Sequence, residues 1–227
     1  MLTARDLRAG YGTVPVLHGI SMAVAVGEIV AVVGRNGVGK TTLVKTLMGV
    51  IPATSGRVML GSDDLTGRTP SHRVRAGVRA TYQEGGVFAE LTVEENLRLN
   101  GFRRPDHEEV LAAFPATLAG RSAQRAGTLS GGEQKMLAAA VALSSSAPIL
   151  VMDEPTEGLQ PSNVDVLGTL LDAARIEGRG ILLVEQHLAL ATRLADRFVV
   201  IEKGTVVDEG RADEPDIHRR VADRLVL

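Results

Sequence analysis

Apolar residues along this chain fall into short continuous runs in some places and into helical spacing in others, and the order of the two predicts an α/β fold. Ile20–Val24, Ile29–Val33 and Val58–Leu60 are strand-like runs separated by turn residues. A glycine-rich turn follows Ile29–Val33, and after it the apolar period of Thr41–Met48 predicts a helix that Gly49 terminates. From about 84 to 146 the spacing becomes helical. "TVEENLRL" and "HEEVLAAF" carry it, and "EQKMLAAAVALS" places Met136, Leu137, Ala140, Val141 and Leu143 on one face. Two further apolar strands, Ile149–Met152 and Ile181–Val184, flank a helical stretch around Val164–Glu177. Strands this uniformly apolar, alternating with helices, predict a parallel sheet covered on both faces. The charged segment after Gly210 is expected to be too short for another domain. The expected organisation is one α/β core with an inserted helical lobe.

Composition narrows the chemistry without changing that picture. The 227 residues are 44% hydrophobic and 23% charged, with a net charge of −2 and no cysteine. Disulfides, thiolate metal sites and a cysteine nucleophile are excluded, and no overall basic field argues for nucleic acid. The most apolar stretch, "MAVAVGEIVAVV" (22–33), is short and interrupted by Glu28, well below the roughly 18 residues of a membrane span. The opening "MLTARDLRAG" lacks the hydrophobic centre of a signal peptide. The chain is expected to be soluble and cytoplasmic, and to reach a membrane only through partners.

"GRNGVGKTT" (34–42) fits G-x-x-x-x-G-K-[ST] at Gly34, Gly39, Lys40 and Thr41, between a predicted strand and a predicted helix. Glycines let the backbone curl until successive N–H groups point at phosphate oxygens, and the helix N-terminus adds partial positive charge there. Asn36, Gly37 and Gly39 belong to this cradle. Lys40 is expected on the β- and γ-phosphates, Thr41 on Mg²⁺ and Thr42 on the α-phosphate. "ILVMDEP" (149–155) ends a strand in two acids, where the carboxyl ends of parallel strands face a ligand crevice. Asp153 is the expected partner of Thr41 at the metal, and Glu154 the group that polarises an attacking water. A small-molecule kinase would want a lid of arginines after the loop, and a GTPase an Asn-Lys-x-Asp motif, which is absent.

"LSGGEQ" (129–134) reads first as a capping box, with Ser130 as cap and Glu133 three residues on. A cap does not explain Gly131 and Gly132, each costing up to about 1 kcal/mol against alanine in a helix. Bare backbone at a helix start suits the close approach of an anion.

Lying between the phosphate loop and the strand-borne "DE", "LSGGEQ" resembles the signature sequence of the ATP-binding-cassette (ABC) ATPases, and the resemblance covers nearly the whole chain. It implies a P-loop NTPase fold of the ABC type, with a RecA-like core (1–83 and 147–227) that includes an N-terminal antiparallel β subdomain, and a helical subdomain inserted at 84–146. Tyr11 in "GYGTVPVLHGIS" resembles the aromatic that stacks on adenine, with Val16 beside it. Gln83 resembles the glutamine of the family's Q-loop, which senses Mg²⁺ and the γ-phosphate and lies near the membrane partner. "EGLQP" (157–161) stands where the family has its D-loop, with Gln160 at the place of the usual aspartate. The resemblance further implies a head-to-tail pair, in which Ser130, Gly131, Gly132 and Glu133 of one chain close over ATP held by the other.

"LTVEENL", "NGF" (100–102), "EPTEGLQP" and "VEQ" resemble the ATPase subunits of branched-chain amino-acid importers. The implied partners are transmembrane permease subunits, a second ATPase subunit (another copy or a paralogue) and, indirectly, a solute-binding protein, with the ATPase at the cytoplasmic face of the membrane. Related subunits serve urea and amide uptake. Non-transport ABC proteins are the rival reading, but they usually carry two cassettes or long insertions, and only a short segment separates Gln83 from Ser130.

Members of the family commonly place a switch histidine after the last core strand, ten positions before the aspartate of an "ADR" sequence. Here Asp196 is that aspartate, and ten positions before it stands Gln186, with His187 one step on. Register therefore favours Gln186 over His187. An amide can donate to a γ-phosphate oxygen but carries no titratable charge.

Overall fold

In a computed structural model of the chain, which describes residues 1–83, 86–99, 118, 120–186 and 188–226, the apolar runs become the centre of a six-stranded sheet. Its strands are β3 (Ile29–Val33), β6 (Val78–Thr81), β7 (Ile149–Asp153), β8 (Gly180–Glu185), β9 (Arg197–Glu202) and β10 (Thr205–Arg211). They lie in the order β10-β9-β3-β8-β7-β6, parallel throughout except for the β9–β10 hairpin at one edge. A second, antiparallel sheet combines β1 (Leu2–Tyr11), β2 (Val14–Val24), β4 (Ala53–Leu60) and the short β5 (Asp63–Asp64) in the order β2-β1-β4-β5.

Strand period explains how one sheet serves two cores. Side chains alternate between faces, so Ile29, Ala31, Val33, Leu150, Met152, Ile181 and Leu183 point to one side. Val30, Val32, Ile149, Val151, Leu182 and Val184 point to the other. The first side is covered by α4 (Gly131–Leu143), α5 (Pro161–Ile176), α6 (Leu188–Leu194) and α7 (Ile217–Val226). The second is covered by α1 (Lys40–Leu47), whose Leu43, Val44 and Leu47 also meet the antiparallel sheet through Leu2, Leu7 and Ile20. Burial on both faces is why these strands read as unbroken apolar runs.

The expected elements are present, with altered ends. Ile20–Val24 is only the last part of β2, and the helix near Val164–Glu177 begins at Pro161. The helix expected at Thr41–Met48 is α1, with Met48 as its cap. Gly49, at φ of 73°, stops it as expected, through its N–H on the Thr46 carbonyl and the Val50 N–H on that of Lys45. On α4 the expected apolar face holds at Met136, Leu137 and Ala140, but Val141 and Leu143 are only half-buried while Ala138, Ala139 and Ala142 are buried. Small buried alanines thus share the buried face where a single stripe of large side chains was expected. α3 (Val93–Arg98) starts within "TVEENLRL" on a Thr92–Glu95 capping box. "HEEVLAAF" and "NGF" lie outside the described residues. The segment after Gly210 is no mere tail: α7 buries Ile217 and Val221 against the sheet, Arg219 and Arg224 are exposed, and half-buried Arg220 is tied to Asp208 on β10. α2 (Pro70–Ala76) had a legible start, Thr69 capping the His72 N–H ahead of proline, and a legible stop at Gly77 in left-handed conformation.

Two arginines, Arg73 buried and Arg179 half-buried, add donors at helix ends: at α1, which left-handed Gly49 already terminates, and at α4, which has no glycine after its Ser144 cap. Arg73, 1% exposed, donates to the carbonyls of Thr46 (2.8 Å) and Leu47 (2.7 Å) at the end of α1, and to Thr66 (2.7 Å) and Arg68 (3.1 Å). Arg179 does the same for the end of α4, through Leu143 (2.6 Å), Ala142 (3.3 Å) and Ala147 (3.0 Å). Burial lowers both guanidinium pKa values, and the ring of carbonyls compensates for the lost hydration. Arg73→Ala strips the end of α1 of these donors, and should lower the unfolding free energy by about 3 kcal/mol. An unfolding free energy from urea titration lowered by less than a fifth of that would show that water replaces the guanidinium at little cost.

Candidate functional site

Register places the chemistry. Val33 at the end of β3 pairs with Glu185 on β8, and Asp153 at the end of β7 pairs with Val184. The carboxyl ends of β3, β8 and β7 are therefore level, and the loops leaving them meet over one edge of the sheet. The loop after β3 needs its glycines for space and for conformation. A Cβ on Gly34 would stand 2.4 Å from the Ile201 carbonyl, and Gly39, with φ of 109°, begins α1 from the left-handed region. No side chain caps α1, so the N–H groups of its first turn face the loop.

A cleft of about 440 Å³ opens above, lined by Tyr11, Val16, Asn36, Gly37, Gly39, Lys40, Thr41, Thr42, Gln83 and Glu154. Tyr11, half exposed at the β1–β2 turn, and Val16 form its apolar end, a face on which a planar ring can stack. Lys40 occupies the polar end. Its Nζ donates to the carbonyls of Gly34 (2.8 Å) and Arg35 (3.2 Å) and lies 3.3 Å from Glu154 Oε1. The Lys40 and Glu154 side chains are 4% and 8% exposed.

Glu154 is held under strain. Its φ of 47° is left-handed, a conformation that costs a side-chain-bearing residue about 1 kcal/mol or more. Its N–H is anchored on the Val184 carbonyl at 2.9 Å, and its Oε2 accepts from Gln83 Nε2 at 3.0 Å. The loop beyond it is pinned to β8 as well: buried Glu185 accepts from the Thr156 N–H (3.2 Å) and hydroxyl (2.8 Å).

Asp153 stands apart from this network. It is 1% exposed, and neither carboxylate oxygen has a hydrogen-bond partner of normal geometry among the described residues. Burial raises its pKa to about 6, helped by the charge on Glu154 and opposed by the Thr41 hydroxyl, Lys40 and Lys45. Two orphaned buried oxygens beside a threonine hydroxyl suit a hard divalent cation such as Mg²⁺. No group of three or more His, Asp or Glu able to hold a metal occurs among the described residues, so a cation here would rely on neutral oxygen ligands beside Asp153.

Ser130, Gly131, Gly132 and Glu133 do not line the cleft; they begin α4 on the helical side. The capping box forms as expected, with the Ser130 N–H and hydroxyl donating to Glu133 Oε2 at 2.8 and 2.9 Å. These bonds, led by that from the Ser130 N–H, lower the Glu133 pKa, and Arg121 meets its other oxygen at 2.9 Å. The Glu133 carboxylate is thus committed to the cap. A Cβ on Gly131 would meet nothing within 4 Å, so packing inside this chain does not require glycine there. Gln186 follows β8, half-buried, and is not on the cleft wall; His187 lies outside the described residues. Gln160 is exposed and precedes α5 without capping it through its side chain.

Sequence reasoning missed two side chains. Glu157 accepts from Gln83 Nε2 at 3.3 Å and from Lys135 Nζ at 3.0 Å. Nothing in the spacing of a helix residue and a loop residue signals that they meet. Asn96 was also missed. Buried in α3, it ties the 88–92 loop through the Phe88 N–H (2.7 Å) and the carbonyls of Phe88 (3.0 Å) and Thr92 (2.9 Å).

Comparison with known proteins agrees with this geometry. Residues 17–157 match the family model described as ABC transporter. The chain is 40% identical over 220 residues to a high-affinity branched-chain amino acid transport ATP-binding protein of Pseudomonas aeruginosa, covering 93% of this chain and 94% of that one. It is 38% identical over 222 residues to a probable branched-chain amino acid transport ATP-binding protein of Archaeoglobus fulgidus, covering 94% and 93%. A solved ATP-binding subunit of an ABC transporter superposes with a TM-score of 0.83 at 28% identity, over all of this chain and 95% of that one.

The raised pKa of Asp153 has a consequence for stability. Between pH ~4 and ~6 the folded protein keeps a proton on Asp153 that the unfolded chain has released, so this group's contribution is largest near pH 4 and is lost as pH rises to about 6. In chelator and without nucleotide, Asp153→Asn should gain stability relative to wild type from pH 4 to 7, on the order of 2 kcal/mol. A difference constant across that range, measured by urea unfolding, would mean that Asp153 titrates as a solvated acid.

Proposed function

The chain belongs to the ABC transporter family, and from that membership we propose that it is the ATP-hydrolysing subunit of an importer of amino acids, branched-chain ones first. The observation that carries the catalytic reading is the meeting of Lys40 and Glu154 at 3.3 Å beside the unpartnered oxygens of Asp153. The import reading is supported by the two relatives whose names specify branched-chain amino acid transport.

In this reading the adenine of ATP stacks on Tyr11 beside Val16, and its phosphates enter the loop of Asn36, Gly37 and Gly39. The γ-phosphate draws Lys40 away from Glu154 and the loop carbonyls, because a triphosphate is a stronger partner than a carbonyl. Thr42 serves the α-phosphate. Thr41 and Asp153, with the Gln83 carbonyl, would hold Mg²⁺, which would neutralise phosphate charge when bound. Glu154, freed of Lys40, accepts a proton from water as the water oxygen bonds to the γ-phosphorus and the bond from that phosphorus to the β,γ-bridging oxygen breaks. ADP leaves with the electrons of that bond. Ser130 and the N–H groups of Gly131 and Gly132 act on the ATP of a second ATPase subunit, another copy or a paralogue, paired head to tail. Glu133 holds Ser130 in place there.

Permease subunits are the proposed membrane partners, with a solute-binding protein reached through them, and the site of action is the cytoplasmic face of the membrane. Support comes from a groove of about 560 Å³ between β6 and α4 whose lining includes Val87, Phe88, Leu99 and Val141. Phe88 is 63% exposed and Leu99 55%, large apolar side chains suited to a permease helix. No helix among the described residues is long and apolar enough to cross a membrane.

Glu154→Gln should keep ATP affinity, lose hydrolysis by about 100-fold or more, and elute as an ATP-dependent dimer. Turnover at the wild-type rate would remove Glu154 from the role of base. Lys40→Ala should weaken ATP binding; unchanged affinity would undo the phosphate-loop assignment. Gln186→Ala should slow turnover more than His187→Ala, and the opposite order would move the switch to the histidine. Reconstituted with its permease, the protein should drive uptake of leucine, isoleucine and valine, and ATP-dependent uptake of a different solute alone would overturn the substrate class.

A further inference from the structure

Outside the phosphate loop, four side chains form a continuous line from the start of α4 to the strained end of β7. Lys135, one turn beyond Gly131, donates from Nζ to the backbone carbonyl of Glu157 at 2.8 Å and to its Oε2 at 3.0 Å. The same Oε2 accepts from Gln83 Nε2 at 3.3 Å, and Gln83 Nε2 also donates to Glu154 Oε2 at 3.0 Å. One amide nitrogen therefore stands between two carboxylates. Carboxylates only accept, so the amide end of Gln83 must face them and its carbonyl must face away.

Alone, the Lys135–Glu157 contact would be an ordinary surface ion pair, with side chains 23% and 51% exposed, and worth little. Two features make it more. Lys135 grips Glu157 at both carbonyl and carboxylate, which fixes the carboxylate's place. That carboxylate then fixes the rotation of Gln83, the side chain in contact with the proposed base. Lys135 also belongs to the helix whose first turn would touch nucleotide held by the other subunit, so the line runs from one nucleotide's contact surface to the other's water.

We propose that Glu157 is a positioning residue for hydrolysis: clamped by Lys135, it keeps the Gln83 amide on Glu154 and so couples the α4 helix to the base within one chain. This rests on the reading of Glu154 as base. Without Glu157 the amide has one acceptor instead of two and is free to rotate, and Glu154 loses a fixed donor. Glu157 is outside the cleft lining, so the loss falls on turnover and not on ATP binding.

The test is steady-state ATP hydrolysis by Glu157→Ala, Lys135→Ala, Lys135→Arg, the Lys135→Ala/Glu157→Ala double variant and Glu154→Gln, with urea midpoints and ATP affinity measured alongside. Glu157→Ala should lower kcat about tenfold with KM within about twofold of wild type. Lys135→Ala should lower kcat about threefold, and Lys135→Arg, which keeps a donor at that point, should restore it. The double variant should be no slower than Glu157→Ala alone, since both act through one contact. Wild-type kcat in Glu157→Ala, a rise in KM in place of a fall in kcat, or multiplying effects in the double variant would each overturn the proposal. Glu154→Gln separates the two readings. If it is inactive while Glu157→Ala is unaffected, only the positioning role fails; if it hydrolyses ATP at the wild-type rate, the base assignment itself fails.

Discussion

Lys40 and Glu154 meet as opposite charges in a nearly dry interior, and much of the molecule is arranged to make that contact tolerable. Removing two charges from water is expensive, and their mutual attraction offsets the loss only when every remaining donor and acceptor is also served. Here the carbonyls of Gly34 and Arg35 take the other protons of Lys40, and Gln83 donates to Glu154. All three partners are displaceable by a triphosphate or by a rotation of one amide. A pair so compensated is stable without ligand yet open to exchange with a more highly charged one. Asp153, left without a partner two strands from the loop, is the complementary feature: a buried acid whose best partner is a cation.

That contact depends in turn on the level carboxyl ends of three strands. β8 lies between β3 and β7, so the loops bearing Lys40 and Glu154 arise about 10 Å apart, a gap that a lysine stem spans. The level ends follow from a sheet buried on both faces. A strand that slipped by one residue would send its side chains for one core into the other. Arg73 and Arg179 act further out, donating to the last carbonyls of α1 and α4, the two helices whose N-termini carry the phosphate loop and the Ser130 cap.

The start of α4 gives the molecule its unfinished aspect. A capped helix whose Gly131 is exposed and unconstrained by packing, set apart from the cleft, is what the proposed head-to-tail pairing would use. The Ser130 hydroxyl is already engaged with Glu133, so the anion proposed to approach it would have to redirect that hydroxyl. Lys135 and Glu157 tie this surface to the rest of the site, which makes the helix more than a passive contact.

Local patterns determined much of this protein. The apolar runs at Ile29–Val33, Ile149–Met152 and Ile181–Val184, the glycine spacing at 34–42, the acids at 153–154 and the Ser130–Glu133 box are each encoded within a few residues, because strand period, left-handed backbone and helix capping are short-range physics. The same kind of signal was present and passed over at Thr69-Pro70 and in the amphipathic 217–226 segment, where surface arginines mask two buried apolar positions. Only the tertiary structure decided the rest: that Lys40 rests on Glu154, that the Asp153 oxygens are buried without a hydrogen-bond partner among the described residues, that Arg73 reaches back to the end of α1, and that Lys135, Glu157 and Gln83 share one set of hydrogen bonds. Those contacts join residues 22 to 114 positions apart in the chain, and no local pattern carries them, because each depends on where several elements stop and how the sheet brings their ends together.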